Sequence, residues 1–263
     1  MFDLAALESS SETGLAGSIF AGNLHFSAVT GSTNSDAVAA ARNGAPHGSA
    51  YFADEQIAGR GRGDHGWHSA AGEGLYVSVL LRPRLTAARL PLIPLAAGLA
   101  AAQAIGAAAA LTVDLRWPND LLIGPRKTGG ILVEAHSEGS SVSYVVIGIG
   151  INVHQQNFAP GLSTPATSLD IEAVHRISRQ SLLVALLKSL EREVLSLAEE
   201  CNAESIPTRV ERISTWVRGK SVEVHGPQAC NGITAGLDRH GFLLVSTSDG
   251  MVTVQTGGIR QQN

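Results

Sequence analysis

Hydrophobic positions recur along this chain with two different periods, and the switches between them outline the elements. Short runs at "LHFSAV" (Leu24 to Val29) and "SAYFAD" (Ser49 to Asp54) read as strands. The segment "TNSDAVAAARNG" between them reads as a helix stopping at Gly44. "GLYVSVLLRP" (Gly74 to Pro83) predicts a strong strand, and the alanine-rich stretch after it a helix. "VDLRWPND" (Val113 to Asp120), "GILVEAHSEG" (Gly130 to Gly139) and "SVSYVVIGIGINV" (Ser141 to Val153) read as further strands, the last two joined as a hairpin through "EGSS". Leucines at helical spacing from Ser178 to Glu200 predict an amphipathic helix. After Trp216, "KSVEVHG", "NGITAGLD", "GFLLVSTSDG" and "MVTVQTGG" are four short strands cut by turn residues, the pattern of a small barrel of about fifty residues. The fold class is α+β, with a domain boundary near Ile213 to Gly219.

Composition narrows this picture. A chain of 263 residues, 44% hydrophobic and 16% charged, can bury one good core and carry a small second domain. The net charge of -4 argues against a general nucleic-acid or membrane-surface binder, so any phosphate chemistry must rest on a local basic cluster. Cys201 and Cys230 make no metal pattern or disulfide framework, and the N-terminal "MFDLAALESS" lacks the basic residues that open a secretory signal; a cytoplasmic location is expected. Leu90 to Val113 is long enough to cross a bilayer. Its two prolines, Gln103 and many alanines and glycines favour a helix buried against a sheet instead.

The segment "EQIAGRGRGDHGWHS" (Glu55 to Ser69) cannot be a regular helix and offers little apolar surface. Its "GRGDHG" matches a dinucleotide fingerprint, but a strand follows where that motif needs a helix. The "RGD" tripeptide (Arg62 to Asp64) is too short to carry meaning, and "HGWH" lacks a second ligand pair at zinc spacing. What remains is an anion loop: glycines turn backbone N–H groups inward while Arg60 and Arg62 supply charged forks. A mobile, solvated turn is the bland alternative. Lys127, ahead of "TGG" beside a buried strand, is a second cation that can face a phosphate or simply lie on the surface.

"GSTN" (Gly31 to Asn34), "DEQIAGRGRGDHGW", "RWPNDLL", "KTGGILVE" and "GIGINV" fall in the order and spacing of the biotin protein ligases, which this chain resembles from about Leu24 onward. The resemblance implies a mixed-sheet catalytic domain of the class II synthetase and biotin/lipoate ligase type with an SH3-like C-terminal β-barrel. It divides the chain into an N-terminal extension (1–23), a catalytic domain (24–215) and a C-terminal domain (216–263). A short form without the DNA-binding reader of the regulatory members is expected.

By the same resemblance Ser32, Thr33, Asn34 and Gln56 line a biotin pocket, with Gly130 packed under the ligand. Gly59, Arg60, Gly61 and Arg62 form the loop over biotin and its adenylate. Trp67 lies against adenine, Asn119 and Asn152 join Arg62 in contacting ATP, and Lys127 meets both the biotin carboxylate and the α-phosphate. The family loop often carries two further arginines; Gly63 and His65 stand near those places here. The implied substrates are biotin, ATP with bound Mg2+, and a biotin carboxyl carrier domain whose lysine is modified. Because the loop is poor in apolar residues, it is expected to order on its ligand. Asp120 is a candidate to position the acceptor amine or receive its proton, or else a turn cap. A lipoate or octanoate ligase, a non-catalytic biotin sensor and a DNA-binding regulator are the alternatives.

Overall fold

The computed structural model describes residues 2–8, 14–63, 65–198 and 205–262. The "RGD" and Cys201 readings depend on residues outside this set. The larger domain contains α1 (Leu4–Leu7), β1 (Leu24–Thr30), α2 (Thr33–Arg42), β2 (Ser49–Gln56), β3 (Gly74–Leu81) and α3 (Leu92–Ala109). It continues with β4 (Asp114–Arg116), β5 (Asp120–Ile123), β6 (Arg126–Glu138), β7 (Ser141–Asn152), α4 (Leu169–Glu172), α5 (Arg179–Ala198) and α6 (Ser205–Ile213). Its seven strands form one sheet in the order β1-β2-β3-β7-β6-β5-β4. β1 and β2 pair in parallel across the α2 crossover, and the other neighbours pair antiparallel.

The central strands explain how one sheet serves both a core and a cleft. In β7 the isoleucines Ile147, Ile149 and Ile151 are buried on one face, while Gly148, Gly150 and Asn152 alternate with them on the other. The isoleucine face joins a core in which α3 lies between the sheet and α5. α3 is long and apolar enough to cross a membrane, yet 67% of it is buried inside this fold, as an alanine-rich helix packed against a sheet should be. Small side chains let it approach closely, and Ala110 ends it in the left-handed region at φ 55°.

Two boundaries differ from expectation. The segment predicted as one strand over 113–120 folds instead as the short hairpin β4–β5, broken at the cis Trp117–Pro118 bond. Proline has no N–H to continue a ladder, which separates the two strands. The C-terminal domain has five strands where four were expected: β8 (Arg218–His225), β9 (Cys230–Leu237), β10 (Leu243–Thr247), β11 (Gly250–Val254) and β12 (Gly258–Gln261). They form an antiparallel sheet in the order β11-β10-β9-β8-β12 of SH3-like type. Only Ile259 of "GIRQ" is buried, so the last strand shows no apolar run in the sequence. Glu211 of α6 accepts a hydrogen bond from the Leu237 amide (2.7 Å), and Trp117 Nε1 donates to the Gly241 carbonyl (3.0 Å), fixing this sheet to the larger domain.

The described residues before β1 pack into the core of the larger domain. Leu7, Leu15 and Phe20 are fully buried, and the Phe2 ring meets Phe52 edge-on at 5.1 Å. Glu191 of α5 holds this segment by accepting from Ser18 Oγ (2.7 Å) and the Ile19 amide (3.1 Å). We predict that Phe20→Ala lowers the unfolding free energy by about 3–5 kcal/mol, because the cavity it leaves is closed on all sides. Urea unfolding checks this, and a loss below about 1 kcal/mol would mean that the segment docks without contributing to the core.

Candidate functional site

The polar face of the sheet is low at its centre, where side chains from outside the sheet rest directly on glycines. Cross-strand register sets Gly130 opposite Gly150 and Gly148 opposite Ser78, so adjacent strands present hydrogens or a short side chain there, with the larger Tyr76 beside Gly150. A Cβ at Gly148 would collide with the Asn34 amide, and one at Gly150 with the Trp67 indole. These glycines exist for close approach.

The N-terminus of α2 closes one end of this floor. Ser32, Thr33 and Asn34 are buried, and Gln56 Oε1 accepts from the Thr33 amide (2.9 Å) and from Thr33 Oγ1 (3.1 Å). Ser78, wholly buried on β3, donates to Asn34 Oδ1 (2.6 Å) and shares a hydrogen bond with Thr33 Oγ1 (2.8 Å). Asn34 Nδ2 in turn donates to Glu134 Oε2 (2.7 Å). This is a polar network of side chains that each other holds in place.

The arginine loop is a small hairpin in this structure. Trp67 donates its amide to the Gly59 carbonyl (2.8 Å), Gly61 donates to His65 (2.7 Å), and Arg60 bridges Gly66. Gly59 is packed behind it, where a Cβ would strike the Trp67 carbonyl. Arg60 forms a two-pronged ion pair with Glu134 (2.6 Å and 3.2 Å). Arg62 Nη1 donates to Asn119 Oδ1 (3.1 Å) and to the Gly257 carbonyl of the C-terminal domain (2.8 Å). Burial lowers the Arg62 pKa, and the Asp120 charge opposes that.

Lys127, on β6, sits at the third corner. Its ammonium pairs with Asp120 Oδ1 (2.6 Å) and stands 5.5 Å from the centroid of the Trp67 ring. Asp120 Oδ2 accepts from Arg116 Nη2 (2.6 Å) and Nε (3.1 Å). Burial alone would raise the Asp120 carboxyl, but the Lys127 and Arg116 charges outweigh it and hold its pKa below the ordinary value. A carboxylate paired with two cations is a weaker base and a firmer anchor, which favours the positioning role for Asp120 over the proton-receiving one. The Trp67 ring lies on the Gly130 and Gly150 floor, and among the described residues its buried Nε1 meets no partner. Asn152 spends its Nδ2 on the Thr167 carbonyl (3.0 Å).

All of these groups except Gly59, Glu134 and Thr167 line one cavity of about 680 Å3, to which the C-terminal domain adds His225, Gly257 and Arg260. A family model described as "Biotin/lipoate A/B protein ligase family" matches residues 27–152. The bifunctional ligase/repressor BirA of Bacillus spizizenii is 34% identical over 96% of this chain and 78% of its own length. The chain belongs to the biotin protein ligase family. The biotin--[acetyl-CoA-carboxylase] ligase of Mycobacterium tuberculosis is 33% identical over 88% of this chain and 86% of its own. The structure of the Aquifex aeolicus biotin protein ligase in complex with biotin and ATP superposes with a TM-score of 0.79 at 26% identity, covering 92% of this chain and all of that one.

Sequence reasoning missed Ser78, Arg116, Glu134 and the residues from the C-terminal domain. Glu134 could have been found, because it is two strand periods beyond Gly130 and so shares its face. Ser78 is the one aliphatic hydroxyl in a largely apolar strand, a signal that was present; the C-terminal contacts carry no local signal. Asp120 supports the following prediction. Its folded pKa is depressed, so its contribution to stability is present above the ordinary carboxyl value of 3.8 and is lost as pH falls through the folded value. Asp120→Asn should cost about 3 kcal/mol or more at neutral pH and flatten the fall in stability below about pH 4. Parallel acid-unfolding profiles for the two proteins would contradict the assigned ion pairs.

Proposed function

We propose that this chain activates biotin as biotinyl-5′-AMP and transfers the biotinyl group to a lysine of a biotin carboxyl carrier domain. The observation that carries this reading is the convergence of Arg60, Arg62 and Lys127 on one glycine-floored cleft. A biotin carboxylate is already ionised at neutral pH, so its attack on the α-phosphate needs no general base. It needs relief from repulsion between two anions, which fixed cations supply in a partly water-excluded site. The carboxylate oxygen forms a bond to the α-phosphorus and pyrophosphate leaves.

In the second step an amine attacks the acyl carbon, AMP leaves and the proton on nitrogen passes to solvent. Thr33, Ser78 and Gln56 supply donors and acceptors for the ureido end of biotin. Arg62, Asn119 and Trp67 border the space proposed for the nucleotide. The carboxylates Asp120 and Glu134 are already engaged by cations, so magnesium is proposed to enter on the phosphates of ATP and offset their charge there. The named relatives favour biotin over lipoate as the acid. Cytoplasmic action fits a carrier-domain acceptor.

Incubation with ATP, magnesium, biotin and a biotin acceptor domain, followed by avidin detection, tests the assignment. No label from folded protein would leave a non-catalytic biotin binder. Lys127→Ala should lower biotin-dependent exchange of pyrophosphate into ATP roughly a hundredfold, on the order of 3 kcal/mol, while biotin affinity falls less. Near-normal exchange would return Lys127 to the surface-lysine reading.

A further inference from the structure

Glu134 is used by neither step, although it stands at the end of a hydrogen-bonded relay that begins on the pocket floor. Ser78 Oγ donates to Asn34 Oδ1 (2.6 Å), Asn34 Nδ2 to Glu134 Oε2 (2.7 Å), and Glu134 receives both prongs of Arg60. The relay is rigid at its inner end. Asn34 is 4% exposed, and its amide fills the space above Gly148 that a Cβ would need. Glu134 therefore accepts from a donor that cannot turn away, and its two oxygens set the plane of the Arg60 guanidinium.

We propose that Glu134 is the positioning residue for Arg60, holding the loop guanidinium at the cleft through Asn34 so that it is in place when the carboxylate meets the α-phosphate. This rests on the ligase reading above. The side chains of Arg60 and Glu134 are 42% and 33% exposed, so as an isolated surface pair they would alter a rate by at most about fivefold. The buried third partner makes the difference. An arginine whose direction is fixed beforehand loses nothing to reorientation as charge develops.

Three readings on the wild type, Glu134→Gln and Glu134→Asp test it: tryptic cleavage after Arg60 without ligand, calorimetric biotin affinity, and pyrophosphate exchange. In Glu134→Gln we expect cleavage to accelerate at least about fivefold and the kcat of exchange to fall at least about tenfold, with biotin affinity moving less than about threefold. Glu134→Asp, which keeps the charge, should recover part of the rate. Cleavage and kcat both within about threefold of wild type would overturn the proposal, as would a loss of biotin affinity as large as the loss of kcat, which would make Glu134 a support for the pocket floor. If the wild type itself shows no exchange, the ligase reading fails, and the cleavage ratio alone decides whether Glu134 holds Arg60.

Discussion

Cations of like charge repel, and this site needs several of them close together before any substrate arrives. The fold meets that constraint by giving each one a fixed partner. Lys127 shares Asp120 with Arg116, Arg60 is forked onto Glu134, and Arg62 is tied to the Asn119 amide oxygen and the Gly257 carbonyl. Asp120 is the pivot, because one carboxylate pairs with two cations, whose charges hold its pKa below the ordinary carboxyl value. The rest of the cleft depends on these pairs. Without them Lys127 would have no reason to lean over the glycine floor rather than toward water.

Partners come from distant parts of the chain, and the sheet brings them together. Glu134 lies on β6, Asn34 at the start of α2, and Arg60 on a loop after β2, yet strand register places them within one hydrogen-bonded group. The C-terminal sheet is part of this arrangement, since its Gly257 carbonyl takes one bond from Arg62. Separating the two domains would leave that half-buried guanidinium short of an acceptor.

Much of this was legible in the sequence, for reasons that differ by element. The α+β class and the central strands follow from local hydrophobic period, and "GIGIN" even reveals which face is bare, because glycine and isoleucine alternate strictly there. The cations were legible through glycine context and family resemblance. The β4–β5 hairpin was not, because a proline turn inside an alternating apolar and polar run looks like continuous strand. Packing of Phe2 and Phe20 into the core was not either, since burial of an N-terminal segment depends on what lies opposite it. Ion-pair partners are the least legible of all: Glu134 and Arg60 are 74 residues apart, and nothing local in either segment announces the other.

The central claim is that these prearranged cations let the chain join a carboxylate to an α-phosphate without a general base. The most direct measurement mixes stoichiometric protein with biotin and magnesium ATP, omits any acceptor, quenches within seconds and identifies the products by mass spectrometry. A burst of biotinyl-5′-AMP approaching one molecule per active chain, matched by pyrophosphate, is expected. Protein that binds biotin and ATP together yet yields neither product would contradict it.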